Sequence, residues 1–72
     1  MTAAQYIRAL YASGASRDLR KAELDRYAAV ILKIDERSAR RYRRGEIAVP
    51  GPVEVALTAL TMSNFRESHL SD

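Results

Sequence analysis

Leu24-Asp25-Arg26-Tyr27-Ala28-Ala29-Val30-Ile31-Leu32-Lys33-Ile34-Asp35-Glu36-Arg37-Ser38-Ala39-Arg40-Arg41-Tyr42-Arg43-Arg44-Gly45 reads as two short helices separated by a tight turn. Leu24, Tyr27, Ala28 and Ile31 recur at the three- and four-residue spacing that puts side chains on one face of a helix. That spacing predicts a helix over about 22–32. Lys33-Ile34 then forms the turn. Asp35 is a good N-cap for a second helix over 36–44, because its carboxylate can accept from an amide of the first turn. Glu36 near the start of that helix, and Arg43 and Arg44 near its end, both suit the helix dipole. Gly45 is the natural stop.

The second of these helices holds five arginines in eight residues, Arg37 to Arg44. The chain carries +3 and this segment +5, so the rest of the chain carries −2. The positive charge is concentrated in one place. Arg37, Arg40, Arg41 and Arg44 are helical neighbours and share a face. Ala39 and Tyr42 point elsewhere, as small and aromatic core residues do. Ten of the twelve basic residues are arginine. Its planar fork matches phosphates and guanine edges better than lysine's point charge does. A helix with an arginine face and an apolar back fits the DNA major groove.

Outward from this pair the punctuation predicts two more helices, making an all-α fold of four to five short helices. The first runs over about 3–13, capped by Thr2 and stopped by Gly14. Its core face is expected to be Ala3, Ile7, Leu10 and Tyr11, with Tyr6 at the border. Ser16 with Asp18 resembles a helix start. Leu19, however, lies about 140° from the stripe that begins at Leu24, so residues 15–21 are expected to bend or form a separate turn. Residues 46–51 form a loop. Pro52 suits the first position of a last helix, over about 52–62. Val53, Ala56, Leu57 and Leu60 make its core face, and Val55, Ala59 and Met62 make a second apolar stripe. One small domain is expected over 1–65, followed by a polar, frayed tail over 66–72.

Seventy-two residues permit one small domain, which buries only about 60% of its unfolded surface. The chain has no cysteine, which excludes disulfides and thiolate zinc sites. Its one histidine, His69, is read as a solvated tail residue. No apolar run approaches the roughly 18 residues of a membrane span, and the N-terminus lacks the pattern of a signal peptide. A cytoplasmic location is therefore expected. No metal-ligand cluster, Gly-rich phosphate loop or nucleophile beside a base emerges. An enzyme is not expected, and neither a cofactor nor a small-molecule ligand is.

Residues 24–45 resemble a helix-turn-helix of the Cro and phage-repressor type. The resemblance rests on Ile34 through Glu46 followed by Val49-Pro50, and it extends over about 22–60. The segment also resembles small phage autorepressors, including the regulators that accompany anti-CRISPR genes, which implies a bacterial or phage-infected bacterial cell. The resemblance implies that Ala29 lets the second helix approach the first, and that Ile34, Ala39 and Tyr42 are buried. It implies that Asp35, Glu36, Arg37, Arg40, Arg41 and Arg44 occupy the exposed positions that meet DNA. One departure stands out, since the family usually has glycine where this chain has Lys33. If that position is left-handed, lysine costs roughly 1 kcal/mol there.

Arg37, Arg40, Arg41, Arg44 and Glu36 are candidates for reading base edges. Asp35 is a cap first. Glu36 either accepts from a cytosine amino group or pairs with Arg40 one turn on. Arg43 lies off the main face and is expected at a phosphate, with Ser38 and Lys33. Tyr42 is core. Val55, Ala59, Met62 and Phe65 are candidates for a homodimer interface. The implied function is sequence-specific binding of double-stranded DNA by a transcriptional repressor, as a homodimer on a palindromic operator. The alternatives are a protein-interaction module (antitoxin-like or a phage adaptor) and an RNA binder using the arginine helix.

Overall fold

A computed structural model describes the backbone of residues 1–70 and the side chains of residues 1–65. Among the described residues the chain is all-helical, with four helices: α1 Ala3–Ala12, α2 Lys21–Leu32, α3 Glu36–Arg44 and α4 Gly51–Leu70. The α2–α3 pair packs most intimately, and α1 contacts both α3 and α4. None of these helices is long and apolar enough to cross a membrane.

Each helix starts where the local chemistry allows. The Thr2 hydroxyl accepts from the Gln5 amide at 3.1 Å, while the Gln5 side chain accepts from the Thr2 amide at 2.8 Å. This reciprocal box satisfies two backbone donors that the helix itself leaves unpaired. Residues 13–20 form the expected bend, and the Glu23 carboxylate accepts from the Arg20 amide at 3.2 Å where α2 begins. The hydroxyls of Ser13 and Tyr27 lie 2.9 Å apart and tie the end of α1 to the middle of α2.

The core contains Tyr6, Leu10, Ala15, Leu24, Ala28, Ala39, Tyr42, Val49 and Leu57, drawn from all four helices and the loops between them. Tyr6, Leu10 and Leu57 are its largest fully buried side chains. Tyr6, expected at the border, is therefore central, and Ala3, Ile7 and Tyr11 are only half-buried. The buried line of α1 is rotated toward Tyr6 because α1 packs against α3 as well as α4. On α4 the expected core face is present, with Leu57 buried and Val53, Ala56 and Leu60 half-buried.

α4 runs well beyond the end expected near Met62, through Leu70. No glycine or proline follows Pro52 to stop it. Side chains past the core also anchor it: Asn64 donates to the Ala12 carbonyl at 3.0 Å, and Thr61 to the Ala9 carbonyl at 3.4 Å. The backbone over residues 66–70 is thus helical where a frayed tail was expected. Residues 71–72 and the His69 side chain lie outside the described residues.

Candidate nucleic-acid interface

α3 is fastened at both ends. Asp35 accepts from the Ser38 amide at 3.0 Å through Oδ2, and from the Ser38 hydroxyl at 2.7 Å through Oδ1. The Ser38 hydroxyl bond, then the amide bond, hold the Asp35 carboxyl below the usual aspartate range. Ser38, expected at a phosphate, is in this structure part of the cap. At the far end Gly45 is left-handed, with φ 73°. Its amide and that of Glu46 close onto the Arg41 and Tyr42 carbonyls.

The turn before α3 is Lys33-Ile34-Asp35. Lys33 is the one non-glycine residue with positive φ among the described residues, at 55°. The left-handed bend lets the Lys33 amide reach the Ala29 carbonyl, with the Ile34 amide bonding the same oxygen at 3.1 Å. A lysine in this left-handed conformation carries local strain that a glycine would not. Ala29 and Ala28 are buried beneath the turn. Small side chains there let α3 come close to α2.

Ala39 and Tyr42 turn inward from α3. Arg37, Arg40, Arg41 and Arg44 are exposed on its outer side. Arg44 pairs with Glu46 at 3.4 Å, both partners well exposed. Such surface pairs contribute little and open readily to a better partner. Glu36 does not pair with Arg40. Its carboxylate meets Arg26 of α2 at 3.5 Å, again on the surface. Arg37 and Arg40, with Ala22, Asp25 and Glu36, line a cleft of about 290 Å³ between the start of α2 and α3.

Arg43 departs from the other four. It points back into α2 and forms a bidentate pair with Asp25, Nε to Oδ1 at 2.7 Å and Nη2 to Oδ2 at 3.0 Å. The two side chains are 14% and 8% exposed. The Asp25 bond raises the Arg43 pKa above its ordinary value, and the loss of water around the guanidinium partly opposes that rise. The expectation that Arg43 meets a phosphate is replaced by this internal role, because Arg43 sits on the edge of α3 that faces α2. Asp25 was not singled out by sequence reasoning. The one signal was its place one turn before the buried Ala28 and Ala29, where a carboxylate needs a partner.

The second apolar stripe of α4 lies on the surface. Val55 is 69% exposed, Met62 60% and Phe65 73%, and Ala59 between them is exposed as well. Val55, Ala59 and Met62, with Gly51, Glu54 and Thr58, line a shallow groove of about 450 Å³. Away from α3, Arg8, Arg17, Arg20 and Lys21 are surface charges, and the Arg17 guanidinium lies 5.6 Å from the centre of the Tyr11 ring. No protein-family model, curated protein or solved structure matches this chain.

Proposed function

We propose that this chain binds double-stranded DNA sequence-specifically and acts as a small transcriptional repressor, with α3 entering the major groove. The observation that carries this reading is the outward set of Arg37, Arg40, Arg41 and Arg44 on a short helix whose other side, Ala39 and Tyr42, is locked into the core. A helix presented in this way can reach base edges while its scaffold stays outside the groove. Arginine forks read guanine O6 and N7 in pairs of hydrogen bonds. Arg40 and Arg41 are central on the exposed side and take that role, with Arg37 and Arg44 flanking them. In this reading Lys33, exposed at the turn, touches the phosphate backbone. Glu36, already beside Arg26, orients that arginine more readily than it reads a cytosine.

One helix of nine residues covers few base pairs, so discrimination among sites asks for two copies. In this reading the exposed stripe Val55, Ala59, Met62 and Phe65 on α4 joins them. A two-fold dimer then places its recognition helices on half-sites about one helical turn apart. Occupying a promoter in this way blocks transcription without any effector. The test is a gel shift with mixed-sequence duplex DNA, double-stranded RNA and an operator selected from random DNA. A preference for the selected duplex supports the reading. Binding confined to RNA, or none to either nucleic acid, overturns it and turns attention to an acidic protein partner for the arginines.

A further inference from the structure

Asp25 and Arg43 form the most buried ion pair among the described residues. It crosses from α2 to α3 near the end of α3, opposite the turn that joins them at its start. Beyond the buried Ala39 and Tyr42, α3 is thus held at two further points: covalently through Lys33-Ile34-Asp35, and by two parallel hydrogen bonds through Arg43. Two directional bonds in one plane define the rotation of α3 about its own axis more narrowly than the non-directional apolar contacts of Ala39 and Tyr42 do. The Tyr6 hydroxyl is fully buried without a hydrogen-bond partner. Burial first, then the Asp25 charge, raise its pKa. The cluster therefore carries more polar cost than core packing alone requires, since apolar residues in place of a buried ion pair often stabilise as well or better.

We propose that Asp25 is a positioning residue for sequence recognition: through Arg43 it fixes the rotation of α3 and so decides which arginines meet base edges. The proposal rests on the DNA-binding reading above. Holding Arg43 inward also removes one cation from the phosphate-facing set. An Arg43 left free would add sequence-independent grip and weaken discrimination.

Three variants test this, each measured for affinity to the preferred operator and to mixed duplex over a range of salt. Asp25→Ala frees Arg43. The ratio of the two affinities is expected to fall at least tenfold, and the slope of log affinity against log salt to steepen by about 1, the value of one added phosphate contact. Asp25→Leu with Arg43→Met replaces the pair by apolar side chains and keeps the fold, as checked by circular dichroism. Its discrimination is expected to fall at least tenfold with the wild-type salt slope. Arg43→Met alone leaves the Asp25 carboxylate buried without its partner and so lowers stability; measured at a temperature where circular dichroism shows it folded, its discrimination is expected to fall at least tenfold as well. Without DNA, the Arg43 Nε proton is expected to exchange slowly in the wild type and fast in Asp25→Ala.

A folded double variant with wild-type discrimination overturns the positioning role, leaving the pair a part of the fold only. So does an Arg43→Met protein that binds every duplex equally more weakly with a salt slope shallower by about 0.9, which identifies a phosphate anchor. Wild-type protein that prefers no duplex overturns the DNA-binding reading itself, a result distinct from either of these.

Discussion

The ring of Tyr6 on α1 meets the ring of Tyr42 on α3 edge to face, with centroids 5.8 Å apart and planes inclined at 71°. This geometry sets the positive edge of one ring against the negative face of the other. It makes the back of the arginine helix part of the hydrophobic core. The side of α3 that shows its arginines and the side that holds the domain together are thus fixed by the same nine residues.

The Tyr6 contact has a cost at its hydroxyl, which is buried without a partner. Removing such a group relieves a desolvation penalty of about 1–3 kcal/mol while keeping the ring. Tyr6→Phe is therefore expected to leave the fold intact and raise stability by up to about 1 kcal/mol, read as a rise of several degrees in Tm for a domain this small. The wild type is also expected to lose stability in alkali. Burial, then the Asp25 and Tyr42 charges, push the Tyr6 pKa up to about 12. A raised native pKa means that the neutral phenol's contribution is complete below the ordinary tyrosine value of about 10. That contribution fades as pH climbs from there through about 12. Tyr6→Phe should lack that part of the alkaline loss. A Tyr6→Phe protein that melts several degrees lower would show that the hydroxyl has a bonding partner in solution.

Lys33 holds a left-handed backbone that glycine adopts without penalty. Lys33→Gly is expected to stabilise the domain by up to about 0.5 kcal/mol, the left-handed strain of roughly 1 kcal/mol relieved less the extra freedom glycine has when unfolded. Denaturant unfolding measures this. A loss of stability would mean that the lysine side chain contributes more than its backbone costs.

Arg40 and Arg41 stand at the centre of the exposed side of α3. Replacing either by alanine is expected to cost on the order of 1–3 kcal/mol on the preferred operator and to relax the choice of base at one position. Binding by the wild type should weaken steeply with salt, with a slope near −3 per monomer if about three phosphates are neutralised. A flat salt response would remove backbone contacts from the account. Retained specificity in both alanine variants would move base reading to Arg37 and Arg44.

Ala59 lies in the middle of the exposed apolar stripe of α4 and outside the core. Ala59→Asp puts a charge there without disturbing Leu57 and its neighbours. Sedimentation should show a folded monomer, and operator binding should be weak. If Ala59→Asp remains dimeric and binds normally, the copies meet through another surface. If it unfolds, the stripe is buried in solution.

Much of this protein was legible in the chain because its signals are local. Thr2, Asp35 and Gly45 mark helix ends through bonds to amides and carbonyls a few residues away, so α1 and α3 begin and stop where the sequence says. The spacing of Ala39 and Tyr42 among the arginines determined which side of α3 is buried. The apolar stripe of Val55, Ala59 and Met62 was visible as a second face on one helix, and it stands exposed. Tertiary packing decided the rest. Arg43 differs from its neighbours only in the direction it points, and Asp25, 18 residues away, becomes its partner once α2 and α3 cross. Glu36 chose Arg26 over Arg40 for the same reason. Tyr6 became central because α3 offered the Tyr42 ring to pack against, and α4 ran on past Met62 because α1 offered carbonyls to bond against. Caps and periodicity act within one turn of helix. The partners of buried charges and the ends of docked helices depend on surfaces that exist only when the helices meet.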